Sequence, residues 1–286
     1  MGKNTQYWIL AILITLSAVF YQRLTGPTNP KRVKFELKGK EYSTKLPRSL
    51  ETSVTLSEAV SDYESLGKKS VMEIEVPESP ENMNVIVYYR IYPGYDTIRT
   101  VEATKSGDTY SVHLPSQPPA GKLAYFVEFN DGSQANTLGL RKNVIIRFKN
   151  PVPPYVLIPH ILLMFIAMLL STYTGVIAFA KSPKTAKYAL IVIITLGIGG
   201  LILGPVVQKY AFGAYWTGWP FGEDLTDNKT LVAFLFWLTA WLINRKKSRK
   251  WFYVLAAAVM LLVYSVPHST AGSEYNHEKG SIETGK

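Results

Sequence analysis

Four apolar runs, at residues 155–180, 188–207, 230–244 and 251–267, follow one another with only short polar loops between them. A fifth, YWILAILITLSAVFY at 7–21, stands near the start of the chain. About 20 apolar residues cross the hydrocarbon of a bilayer as a helix, because a helix satisfies its own backbone hydrogen bonds where no water is present. The runs predict five transmembrane helices. The stretch from about residue 30 to 150 has none of this character and reads as a polar, β-rich soluble segment.

Charge orients the helices. The loop KSPKTAK carries Lys181, Lys184 and Lys187, and the loop NRKKSRK carries Arg245, Lys246, Lys247, Arg249 and Lys250; neither holds an acid. Short basic loops stay on the cytoplasmic side. The same clustering explains the formal net charge of +10 without a nucleic-acid partner, and leaves the headgroups of the lipid bilayer as the counter-charge. The chain has no cysteine, which excludes disulfides, thiolate metal sites and cysteine nucleophiles.

The sequence therefore divides into an uncleaved signal-anchor helix at 1–22, a Gly/Pro/Thr linker at 23–32, a β-domain at 33–150, a four-helix transmembrane domain at 151–268 and a polar tail at 269–286. The N-terminus is expected in the cytoplasm, with β-domain and tail on the other side of the membrane. VKFEL, VMEIEV, NVIVYYRIY, TIRTVEA, TYSVHL, KLAYFVEF and NVIIRF read as seven short alternating strands, the pattern of an antiparallel β-sandwich. The stretch 48–70 reads as a long loop. TYSVHLPSQPPAGKLAYFVEFNDG resembles the strand, Pro/Gly corner and Tyr-rich strand of immunoglobulin-like or fibronectin-type-III-like domains. The overall class is mixed: a helical membrane bundle with an all-β extracytoplasmic sandwich.

Between the second and third of the four central runs lies AYWTGWPFGEDLTDNKT, residues 214–230. Trp216 and Trp219 suit the headgroup region, where an apolar ring stays buried while its N–H is hydrated. Asp224 or Asp227 is expected to cap the following helix. In GIGGLILGP, Gly197, Gly200 and Gly204 form a small-residue face for close helix packing.

His160 precedes Lys181 by 21 residues and His268 follows Lys250 by 18, which places them about 31 and about 27 Å from the basic loops, within one turn of the same depth. Two imidazoles at one level fit a b-type haem, a quinone headgroup, or a metal held together with Asp224 and Asp227. They fit equally well as caps and hydrogen-bond partners of the surrounding helices. Glu223 and Glu274 share the outer side, His113 and His277 take no role, and neither GxSxG nor HExxH occurs. Thr172, Thr174, Thr195 and Thr239 are expected to bond back to their own helices.

FGAYWTGWPFGEDLTDNKTLVAF, together with YVLIPH and the VPHS ending of the last run, resembles a group of uncharacterised bacterial multi-pass inner-membrane proteins with the same plan of anchor, β-domain and four helices. That resemblance implies topology and a bacterial inner membrane, and no activity. The expectation is a non-enzymatic accessory or scaffold protein that works with other membrane-complex subunits. The alternatives are a redox subunit using His160 and His268, or a metal-dependent membrane enzyme.

Overall fold

The structure, a computed structural model, describes residues 2–58, 67–94, 97–132, 135–138, 143–267 and 272–283. The chain is mixed α/β and divides into two compact units, one of Met1–Pro27 and Val152–Gly272, the other of Thr28–Pro151 and Ser273–Glu283.

In the second unit, β1 (Lys31–Leu37) and β2 (Lys40–Leu46) form a hairpin. β4 (Lys69–Glu75), β8 (Thr109–Pro115) and β7 (Thr104–Ser106) form a three-stranded sheet. The larger sheet runs β3 (Ser49–Glu51), β11 (Val144–Lys149), β9 (Lys122–Asn130), β5 (Asn84–Tyr92) and β6 (Arg99–Glu102), with β10 (Ala135–Leu138) also paired to β9. All pairs are antiparallel except β3 with β11. Alternation does the sorting: Met72 and Ile74, Tyr110, Val112 and Leu114, and Leu123, Val127 and Phe129 point inward, as a period of two demands. Together they make one core between the sheets. Each such side chain contributes about 1.5–3 kcal/mol on burial.

The seven predicted segments are all strands. The expected 48–70 loop instead begins with β3, and Ser116 ties its flanks together, accepting from Ser70 Oγ at 2.9 Å and lying 3.0 Å from Thr52 Oγ1. The tail at 273–283 is not a free polar segment: β12 (Glu274–Asn276) and β13 (Ser281–Glu283) pair as a hairpin that belongs to the β-unit. Tyr275 N donates to Ala120 O at 3.2 Å, Lys122 pairs with Glu274 at 3.2 Å, and Arg147 donates to Ser273 O. Tyr275 is buried with Val54, Leu56 and Ile282.

In the first unit, α1 (Lys3–Thr25) lies against α2 (Pro154–Phe179), with Trp8 stacked on Tyr173 at 3.8 Å between ring centres. α3 (Thr185–Leu196), a π-helical stretch Gly197–Leu203 and α4 (Gly204–Phe212) continue as one helix. α5 (Leu225–Lys246) and α6 (Trp251–Ser265) complete the unit. Three helices, Lys3–Thr25, Pro154–Phe179 and Thr185–Phe212, are long and apolar enough to cross a membrane. α6 is apolar but has 15 residues, and α5 carries Asp227, Lys229, Arg245 and Lys246 within its length. Thr172, Thr174 and Thr195 bond back to the carbonyls of Met168, Leu170 and Ile191.

The expected glycine face is present at Gly197 and Gly200, and Gly199 adds a second approach. A Cβ on Gly199 would stand 2.8 Å from Leu163 Cβ of α2, and one on Gly200 would stand 2.7 Å from Thr230 Cγ2 of α5. A Cβ on Gly197 would stand 3.3 Å from the Phe234 ring, also of α5, whereas at Gly204 the nearest atoms are 3.8 Å away. Small residues admit close helix approach: Gly197 and Gly200 face α5, Gly199 faces α2, and Gly204 makes no approach of that closeness. Pro205 lacks the N–H that would continue the ordinary ladder to Leu201, which suits a π turn just before it.

Tyr125 is buried in the β-core and its hydroxyl donates to Pro47 O at 2.6 Å. Burial pushes that hydroxyl well above its usual pKa, so it stays a donor. Tyr125→Phe removes the donor and leaves a carbonyl unpaired, so unfolding of the β-unit in denaturant should show a loss of about 1–3 kcal/mol.

Candidate functional site

α4 ends at Gly213, and the chain then folds over the start of α5 through residues 214–224. Asp224 is the N-cap of α5: its Oδ1 accepts from Thr226 N at 2.8 Å and Asp227 N at 3.4 Å. This matches the sequence expectation. A carboxylate there satisfies free amides and meets the positive end of the helix dipole.

Asp227 has a different task. Its Oδ2 accepts from Thr217 N at 2.7 Å and Gly218 N at 3.0 Å. Asn228 Oδ1 accepts from Trp219 N at 2.6 Å. Three successive loop amides are thus held by two successive side chains of the helix's first turn. The Gln208 amide, turned with its nitrogen toward the loop, donates to Asp227 and to Tyr215 O at 3.1 Å, while its oxygen accepts from Thr217 Oγ1. Gly218 permits this approach, since a Cβ there would lie 2.6 Å from Asp227 Cβ. Asp224 N donates to Thr217 O at 3.0 Å and closes the loop. The Trp219–Pro220 peptide is cis.

Asp224 and Asp227 at the base of this loop are buried, while three of its aromatic side chains face out. Tyr215 is 59% exposed, Trp219 69% and Phe221 83%. Trp216 is half-buried and its indole N–H donates to Trp219 O at 3.0 Å, so Trp216 shapes the loop that displays Trp219.

Two further groups serve helix ends. Lys229, buried on α5, donates to Val266 O at 2.6 Å, placing a cation at the C-terminal carbonyls of α6, where the dipole favours it. His160 on α2 bonds through Nδ1 to Gly199 O at 2.8 Å. The carbonyl only accepts, so Nδ1 carries the hydrogen and, in neutral imidazole, Nε2 is the bare nitrogen. This bond crosses where Gly199 lets α2 come closest.

Of the residues singled out for cofactor or metal, His160, Asp224 and Asp227 are engaged as described, and His268 lies outside the described residues. Among the described residues, no group of three or more His, Asp or Glu side chains is gathered for a metal ion. His113 is exposed on β8. Sequence reasoning missed Gln208, Asn228 and Lys229. Their only signal was position, within one or two turns of a loop already rich in carboxylates. Compared with protein-family models, curated proteins and solved structures, the chain matches none.

Asp227→Ala strips the acceptor from two amides at once. Hydrogen exchange at Thr217 and Gly218 should speed by 10-fold or more, consistent with about 1.5–3 kcal/mol for each charge-assisted bond, whereas Phe221→Ala should leave those amides as slow as in the parent.

Proposed function

We propose that this is a non-enzymatic, multi-pass inner-membrane protein of a bacterial cell, an accessory or scaffold subunit that presents a β-domain and an aromatic loop to other membrane subunits on the outer side. One observation carries the reading: around the 214–224 loop, the two buried carboxylates, Asp224 and Asp227, are spent on backbone amides, and the outward surface presents Tyr215, Trp219 and Phe221 beside the exposed Glu223. Aromatic side chains of this kind anchor interfaces with protein and with headgroups alike.

The β-unit is read as an immunoglobulin- or fibronectin-III-like sandwich. Support comes from the order β11-β9-β5-β6 in one sheet and β4-β8-β7 in the other, which parallels the G-F-C-C′ and B-E-D arrangement of that architecture. Such a fold presents edges and loops without dictating a ligand.

All five helical stretches are read as spans, with α1 an uncleaved signal anchor. Support comes from the positions of charge: within Val152–Gly272 the only acids are Glu223, Asp224 and Asp227, all next to the loop, while eight of the bases lie in 181–187 and 245–250.

One observation favours a second reading, in which His160 ligates haem or a metal, or contacts quinone. A backbone carbonyl on Nδ1 is the usual outer-shell partner that aims Nε2 at a metal, and Gly199 O supplies one.

Three measurements decide between these. Reporter fusions should place Lys247 in the cytoplasm and Trp219 outside; the same side for both would end the proposal. Chemical crosslinking of native membranes should yield a stoichiometric partner whose yield falls at least fivefold in a Trp219→Ala, Phe221→Ala double variant of unchanged Tm. A monodisperse protein that captures nothing would count against a scaffold. A Soret band in the purified protein that vanishes in His160→Ala would instead establish the redox reading.

A further inference from the structure

At the end of the helical unit formed by its two basic loops lies an open groove of about 480 Å³, within the size range of small-ligand sites. Its lining is graded along the helices. Ala178 and Phe179 from the last turn of α2 and Val254 from the first turn of α6 make an apolar wall on the side of the helix bodies. Lys181 and Ser248 stand on the loop side, both exposed. Trp251 and Phe179, also exposed, flank the opening.

The groove is built. Lys250 Nζ reaches across from the second loop to Lys181 O at 2.7 Å and Ser182 O at 2.9 Å. This stitches the two loops together and places a cation on the carbonyl end of α2. Lys181 itself takes a positive φ of 56°, which turns the chain sharply at the rim. α6 begins at Trp251, so the positive end of its dipole also lies at the groove. No acid occurs between Val152 and Gly222 or between Asn228 and Gly272, against eight Lys and Arg in the two loops.

A positive rim over an apolar wall, with an indole at the boundary, matches an amphiphile whose head is anionic. We propose that this groove holds one anionic phospholipid, its phosphate at Lys181 and Ser248 and an acyl chain along Ala178 and Val254 between Phe179 and Trp251. The proposal rests on the membrane reading given above. Bound so, the lipid would join the α2 and α6 ends from outside as Lys250 joins them from within.

Native mass spectrometry of the full-length protein, with phosphatidylglycerol and phosphatidylcholine added in turn, tests it. The expected result is one phosphatidylglycerol retained in preference to phosphatidylcholine. Lys181→Gln should weaken retention about fivefold, the worth of one lysine at an anionic surface. Ser248→Asp, which sets a like charge against the phosphate without altering Lys181, should weaken it at least as much. Lys246→Gln, the same charge change outside the groove, should leave it unchanged. Equal losses in Lys181→Gln and Lys246→Gln would mean diffuse attraction and overturn the site, as would equal retention of both lipids. Displacement by glycerol 3-phosphate alone would overturn the role of the acyl chain. Release of the protein from membranes by alkaline carbonate would defeat the membrane reading itself, whereas a protein that stays membrane-bound and shows no lipid preference defeats only the lipid proposal.

Discussion

A buried carboxylate is costly unless its oxygens find donors, and Asp227 meets that demand with the backbone of the 214–224 loop. Its position in the first turn of α5 is what makes the demand productive. The helix start already offers positive potential, Asp224 takes the capping amides, and Asp227 is left to gather Thr217 N and Gly218 N. With Asn228 holding Trp219 N, the loop backbone is fixed from below at three consecutive residues. A loop fixed from inside has its side chains sorted for it: Thr217 turns down, and Tyr215, Trp219 and Phe221 turn out. The exposed Trp219 and Phe221 are then a consequence of how the carboxylates are satisfied, and need no partner to hold them in place.

The same economy appears elsewhere in the helical unit. Lys229 closes the end of α6, Lys250 closes the end of α2, and His160 bonds a carbonyl in the π stretch. In each of these three cases the polar side chain is matched to a backbone carbonyl at a helix end or in the π stretch. Where apolar burial between helices gives little, as in lipid, such matches and the close approaches at Gly199 and Gly200 carry specificity that leucine and isoleucine cannot.

How far this was legible in the sequence depends on the range of the interaction involved. Seven strands announce themselves because alternation is local and the inward residues are large and apolar. KEYSTKL, which forms β2, hides because Lys40, Glu41 and Lys45 outweigh Tyr42 and Leu46 in any short window. β12 and β13 hide more completely, since Tyr275 and Ile282 become core residues only by docking on strands more than 100 positions earlier. The N-cap was readable from Asp224 and its distance to the next apolar run. The role of Asp227 was not, because nothing in a carboxylate three residues along says which loop amides will turn toward it. Of the glycine face, Gly197 and Gly200 were legible from their spacing, whereas Gly199, which meets α2, lies off that row and was not.

The docked hairpin also limits the possible crossings. The β-unit is entered after α1 and contains Ser273–Glu283 as well, so both segments must lie on one side of any bilayer. An even number of crossings therefore separates Pro151 from Ser273. α2 and the continuous helix Thr185–Phe212 supply two. α5 and α6 must then cross together or not at all, whatever their individual apolarity. Their connecting loop holds Arg245, Lys246, Lys247, Arg249 and Lys250, a charge load that favours the cytoplasm. Lys250 bonds the carbonyls of Lys181 and Ser182 in the other basic loop. A hairpin tip joined to the α2–α3 loop shares that loop's side, so on the proposed membrane reading the pair α5–α6 would cross together with the pair α2–α3. On that reading the short apolar length of α6 would be carried by its neighbours, a constraint of connection that no single-helix hydropathy expresses.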